Sequence, residues 1–137
     1  MKKFKSTERQ GFHMTFENGL TISVQWGFIN YCDNKVFTIN DIKEDHFYCR
    51  KDMESDTAEI AIMLDGIILE PFTILKMDDP SDKDYNAPFV MGYLTPENVL
   101  DIMNKVKSID KGEVEKIRTT INGPLTVFKN KLQKMLS

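Results

Sequence analysis

The stretch Phe12-His13-Met14-Thr15-Phe16-Glu17-Asn18-Gly19-Leu20-Thr21-Ile22-Ser23-Val24-Gln25-Trp26 decides the fold of this chain. Phe12, Met14 and Phe16 alternate with His13 and Thr15, and Leu20, Ile22, Val24 and Trp26 alternate with Thr21, Ser23 and Gln25. A period of two marks a strand with one buried face, so the stretch reads as two strands and a turn. Asn18-Gly19 invites a two-residue type I′ turn, but that register pairs Glu17 with Leu20 and sends the two apolar sets to opposite faces. A three-residue loop, Glu17-Asn18-Gly19, instead pairs Phe16 with Leu20, Met14 with Ile22 and Phe12 with Val24. This register puts all the large apolar side chains on one face and asks Gly19 to take the left-handed region as a bulge. His13, Thr15, Thr21, Ser23 and Gln25 then share the polar face.

Outward from this hairpin, a second is expected from Ala58 to Phe72. Asp65-Gly66 as its loop pairs Leu64 with Ile67 and Ile62 with Leu69. Ile60, Ile62, Leu64, Ile67 and Leu69 share a face, Met63 and Ile68 make the other face partly apolar, and the ribbon is therefore read as central, with Pro71 at its edge or end. Val36-Phe37-Thr38-Ile39 and Phe47-Tyr48-Cys49 are weaker strand candidates whose pairing is open. Residues 78–88 read as an exposed acidic loop around Pro80-Ser81-Asp82, leading to a short strand Phe89-Val90-Met91-Gly92-Tyr93.

Helix begins at Thr95 as N-cap, with Pro96 at the first helical position and Glu97 in the first turn. Val99, Ile102, Met103 and Val106 face inward. Gly112 separates a second helical pattern, Val114, Ile117 and Ile121, which stops at Asn122-Gly123-Pro124 before a third through Leu125, Phe128, Leu132 and Met135. The expected fold class is α+β, with an antiparallel β-sheet built from hairpins over about residues 10–94 and packed against C-terminal helices over about 95–136. With 137 residues and 41% hydrophobic content, one domain spanning 1–137 is expected.

Charge and hydropathy restrict the function classes. The longest apolar run, Ile60-Ala61-Ile62-Met63-Leu64, is too short to cross a bilayer. The basic start, Met1-Lys2-Lys3-Phe4-Lys5-Ser6, leads into polar Thr7-Glu8-Arg9-Gln10 instead of a signal-peptide core, so a cytoplasmic protein is expected. On that view Cys32 and Cys49 are free thiols. The net charge of -3 hides an acidic middle, 13 acids against 5 bases in residues 41–84, and a basic tail, 8 bases against 3 acids in 105–137. Overall acidity and scarce arginine disfavour nucleic acid as a partner; the tail lysines read as solvated helix faces. The Leu125, Phe128, Leu132, Met135 stripe reads first as core, with a homodimer through the C-terminal helices as the other use of its spacing.

The richest constellation is Gln25-Trp26-Gly27-Phe28-Ile29-Asn30-Tyr31-Cys32-Asp33-Asn34, which leaves a strand and holds the chain's one Trp. Such a loop can stack a ligand and hydrogen-bond its edge; alternatively, Trp26 and Phe28 are core and the asparagines serve turns. With the polar face beside it, the candidate binding residues are His13, Gln25, Trp26, Asn30, Tyr31, Cys32 and Asn34. His13, Cys32, His46 and Cys49 lack the paired short spacings of a structural zinc site. Asp52-x-Glu54-x-Asp56 opens like a calcium loop but has Thr57 where Gly is needed and Met63 where Glu is needed. No metal and no cofactor are therefore expected, and the phosphate-binding, dinucleotide and hydrolase motifs are missing from the sequence.

Met14-Thr15-Phe16-Glu17-Asn18-Gly19-Leu20-Thr21-Ile22-Ser23-Val24-Gln25-Trp26-Gly27, then Asn30-Tyr31-Cys32 and Glu54-Ser55-Asp56-Thr57-Ala58-Glu59-Ile60-Ala61, resembles small bacteriophage and prophage proteins of uncharacterised function. The resemblance covers roughly the first half of the chain, implies a phage setting and transfers no catalytic residue. The expectation is a non-enzymatic cytosolic accessory protein that engages a host protein or a small ligand through the Trp26 to Asn34 loop, counter-defence being one such role. The alternative is a small hydrolase or transferase that uses Cys32, Cys49 or a carboxylate with His13 or His46 as base.

Overall fold

The computed structural model describes residues 2–7, 10–36 and 54–136, with backbone alone at 122–134. Six strands form one sheet: β1 (Lys3–Ser6), β2 (Gly11–Thr15), β3 (Thr21–Gln25), β4 (Ala58–Leu64), β5 (Ile67–Leu69) and β6 (Met91–Leu94). Three helices follow from residue 71 onward: α1 (Pro71–Leu75), α2 (Pro96–Lys107) and α3 (Lys111–Leu136). The fold is α+β, its antiparallel sheet lying in the N-terminal two thirds and its long helices at the C-terminus.

The β2–β3 hairpin takes the register that the apolar pattern demands, with Phe12 opposite Val24, Met14 opposite Ile22 and Thr15 opposite Thr21. Phe16 donates its N–H to the Leu20 carbonyl at 2.9 Å, and Gly19 donates to the Phe16 carbonyl at 3.0 Å. Gly19 has φ of +97°. A Cβ there would also come within 3.3 Å of an Arg118 guanidinium nitrogen, so this glycine supplies both a rare dihedral and a close approach to α3.

The strand order is β1-β2-β3-β4-β5, with β6 also on β4. Because β3 covers one edge of β4, β5 and β6 share the other, β5 against Ile62–Leu64 and β6 against Ala58–Ile60. β4 is thus the centre of the sheet, and Ile60, Ile62 and Leu64 are buried. The β4–β5 turn pairs Leu64 with Ile67, and Asp65 and Gly66 both have positive φ, as a type I′ turn requires.

Four elements differ from the sequence reading, each for a physical reason. Lys3–Ser6 is a strand although Phe4 is its lone apolar residue, because pairing with β2 satisfies its backbone without burying its side chains. The second ribbon stops at Leu69: the Glu70 carboxylate accepts from the N–H groups of Phe72 and Thr73, and Pro71 starts the one-turn helix α1. The strand expected at residues 89–93 runs instead from Met91 to Leu94. α3 continues through Asn122-Gly123-Pro124, since an internal proline removes one backbone bond without ending the helical ladder on either side. The strand candidates at 36–39 and 47–49 lie outside the described residues except for Val36.

Leu20, Ile22, Val24, Ile60, Ile62, Leu64, Met91, Leu94, Ile102, Val106 and Val114 are buried between the apolar sheet face and the helices. Thr95 caps α2 through a reciprocal pair with Asn98. The other end of α2 meets the β2–β3 turn, where the Asn18 side-chain NH₂ donates to the Val106 carbonyl at 2.8 Å and the Ile109 carbonyl at 2.9 Å. The same side chain's oxygen accepts from the Leu20 N–H at 3.0 Å.

Two outcomes are expected of this arrangement. Gly19→Ala should lower the urea unfolding free energy by about 1–2 kcal/mol, from the positive φ and the Arg118 approach together. Arg118 donates to Asp65 at 2.6 Å, and that hydrogen bond holds the Asp65 carboxyl below its ordinary value of 3.8. A depressed folded pKa gives stability that is complete above the ordinary value and is lost as pH falls through the folded one. The stability gap between the parent and Asp65→Asn, in which asparagine keeps the left-handed turn, should therefore be constant near neutrality and close in acid. A gap that persists unchanged below the folded pKa would contradict the pairing.

Candidate functional site

Residues 26–36 leave β3 and fold into a loop whose polar groups bond to the protein itself. Asn30 Oδ1 accepts from the Gly27 N–H at 2.9 Å, and Asn34 donates to the carbonyls of Trp26 at 2.7 Å and Glu54 at 2.9 Å. Glu59, on β4, accepts from the Tyr31 N–H at 2.7 Å and from the Asn30 amide at 3.3 Å. Asp33 N–H donates to Thr57 Oγ1 at 2.9 Å. A loop carrying this many unpaired peptide groups has to satisfy them from neighbouring side chains, and Glu59 and the two asparagines do that here.

β6 is shaped to receive the loop. Two residues of β6, Gly92 and Tyr93, stand opposite the single Glu59 of β4, a bulge with Tyr93 at φ of +53°. Tyr93 N–H donates to the Tyr31 carbonyl at 2.8 Å, and Gly92 packs so close that a Cβ would lie 2.6 Å from that of Tyr31. Tyr85 accepts from the Gly92 N–H and packs between Tyr31, tilted against it, and Tyr93, edge-on, with ring centres 5.3 and 5.8 Å away. Burial pushes the Tyr85 hydroxyl well above the ordinary tyrosine range, so it stays protonated as a structural donor and acceptor.

The remaining candidates separate between two faces. Gln25 exchanges hydrogen bonds with Thr7 at 2.8 and 3.0 Å and donates to Ser23 at 3.2 Å, all on the polar face. His13 stands opposite Ser23 and Lys5; partial burial, then the Lys5 charge, lowers its pKa. Cys32 is buried and its thiol donates to the Gly27 carbonyl at 3.4 Å. Burial raises its pKa, which keeps it a thiol and denies it the electropositive, exposed setting of a reactive cysteine. His46 and Cys49 lie outside the described residues, and among the described residues no three His, Cys, Asp or Glu side chains are grouped to hold a metal ion.

Trp26 belongs to the other face. Its ring meets Phe12 edge-on at 6.4 Å and lines an open cleft of about 440 Å³ between the ends of β3 and β4 and the N-terminal half of α2. Val24, Trp26, Ala58 and Leu94 come from the sheet side, Val99, Leu100 and Met103 from α2, and residues 54–57 form the polar rim with Glu54 and Asp56. Sequence reasoning found Trp26 but missed Leu100 and the part of Glu59 as acceptor for the loop. Both leave a trace: Leu100 is an apolar residue off the inward stripe of α2, and Glu59 is a lone charge inside the most apolar strand. No protein-family model matches the chain, and no curated protein or solved structure matches it significantly.

Glu59→Ala removes the shared acceptor of Tyr31 and Asn30 and is expected to cost about 2 kcal/mol in urea unfolding, with Glu59→Gln losing roughly half as much because one acceptor oxygen survives. Equal, negligible effects of both would show that the loop is held by its other bonds.

Proposed function

We propose that this chain is a non-enzymatic binding protein that seats an apolar side chain of a protein partner, flanked by basic residues, in the cleft between Trp26 and α2. The observation that carries this reading is the exposure of Leu100, 59% accessible, at the mouth of an apolar cleft rimmed by Glu54 and Asp56. Apolar patches with polar rims mark interaction surfaces. Among the described residues, the polar side chains of the cleft come from the segment 54–57, apart from the Trp26 indole. A small molecule is oriented by donors and acceptors that converge on it from several sides, whereas an apolar anchor needs only a fitting pocket. The acidic rim favours a basic flank on the partner.

The reading keeps Trp26 from the candidate loop and gives Asn30, Asn34 and Gln25 a supporting part, since their side chains already bond to the protein. A host protein as partner, a phage origin and a cytosolic place of action complete the proposal; they rest on the sequence resemblance and on sequence features alone. The buried thiol of Cys32 weighs against the alternative of nucleophilic catalysis by that residue.

Trp26 is the chain's one tryptophan, so its emission reports on the cleft directly. A short peptide with one leucine between lysines is expected to shift the emission saturably. Leu100→Ser should weaken that binding about tenfold, the loss of one apolar contact surface, with the urea midpoint unchanged. An emission that ignores the peptide, or equal binding by Leu100→Ser, would remove the cleft from consideration.

A further inference from the structure

At the opposite end of α2 the sheet finishes, among the described residues, in an open edge. Among the described residues β1 pairs with β2 alone. Thr7 donates its N–H to the Gly11 carbonyl, and alternation along an antiparallel pair then turns the peptide groups of Lys3 and Lys5 toward β2 and those of Phe4 and Ser6 outward. Phe4 is 78% exposed and stands opposite Met14 on the apolar face. Phe4, Met14 and Phe16 make the floor of a groove of about 500 Å³ walled by Lys2 and Lys107.

The surroundings are strongly basic in a chain of net charge -3. Glu17 is the groove's one acid, and it lies 3.8 Å from Lys2 and 3.7 Å from Lys111. Lys3 and Lys5 stand on the face opposite Phe4, because successive side chains alternate. A second copy offering the same edge would set these lysines against their own kind, which is how natural sheets block edge-to-edge pairing.

We propose that the β1 edge takes up an extended segment of a partner protein in which acidic and apolar residues alternate. The segment adds as a new edge strand, bonding to the outward peptide groups of Phe4 and Ser6. Its acids pair across the edge with Lys3 and Lys5, and its apolar side chains rest on Phe4, Met14 and Phe16. Charge complementarity selects this occupant over a second copy and over a basic peptide.

The probe is a short, end-blocked, fluorescein-labelled peptide of alternating glutamate and valine, titrated by anisotropy at low salt, beside the same peptide with lysine for glutamate. The glutamate peptide is expected to bind saturably, the lysine peptide at least about tenfold more weakly. Ser6→Pro removes an outward N–H and leaves the β1–β2 ladder intact, so it should weaken binding about tenfold. In the unsubstituted chain, which needs no variant to fold, the amides of Phe4 and Ser6 should exchange more slowly once the peptide is added. Unchanged exchange at those amides, equal affinity for the two peptides, or full binding by Ser6→Pro would overturn strand addition. So would a self-associated state that Ser6→Pro dissolves, which would assign the edge to a second copy.

Discussion

The carboxamide of Asn18 joins the two halves of this protein. It lies in a turn between neighbouring strands, yet its donors reach the carbonyls of Val106 and Ile109, at the end of a helix that begins more than seventy residues later in the chain. The last carbonyls of a helix have no partners within it and must find them elsewhere. Here the N–H groups of Ser108 and Ile109 serve the last turn, and Asn18 adds a donor from the hairpin to the Val106 and Ile109 carbonyls. The same side chain accepts from Leu20 and so fixes the turn that sets the hairpin register. One amide therefore ties the choice of sheet face to the placement of α2 on that face, with Gly19 beside it leaving room for α3.

This constraint organises both surfaces for which binding is proposed. α2 is held at its start by the Thr95 and Asn98 pair and at its end by Asn18. Between those points Ile102 and Val106 enter the core, while Leu100 stays outside and forms one wall of the cleft opposite Trp26. Its last residue, Lys107, closes the groove beside β1. A shift of α2 along the sheet would change the shape of both openings. The loop from Trp26 to Val36 is fixed separately, by Glu59 and the β6 bulge.

Much of the fold was readable because a strand pair with all its large apolar residues on one face has few alternatives. The choice between a two-residue and a three-residue loop followed from Phe12, Met14 and Phe16 against Leu20, Ile22 and Val24, and the Thr95-Pro96 start of α2 from local capping chemistry. β1 and α1 escaped for the opposite reason: Lys3-Phe4-Lys5-Ser6 buries none of its side chains, and five residues are too few to show a helical period. The span of α3 across Asn122-Gly123-Pro124 shows how a run of turn-forming residues can be overruled by the helix on both sides of it. In the site, Trp26 was legible as a large aromatic at a strand end. That Asn30 and Asn34 serve the loop's own turns was one of two open readings, but the anchoring by Glu59 was not legible, since its bonds to Asn30 and Tyr31 join residues far apart in sequence.

The coupling role of Asn18 is tested most directly by equilibrium urea unfolding of Asn18→Asp. Aspartate keeps an acceptor for the Leu20 N–H and suits the turn, but it presents a second oxygen to the Val106 and Ile109 carbonyls in place of two donors. If that amide joins sheet to helix, the substitution should cost about 3 kcal/mol, from lost donors and acceptor repulsion together. An unfolding free energy within about 0.5 kcal/mol of the parent, the range of an ordinary surface change, would contradict it.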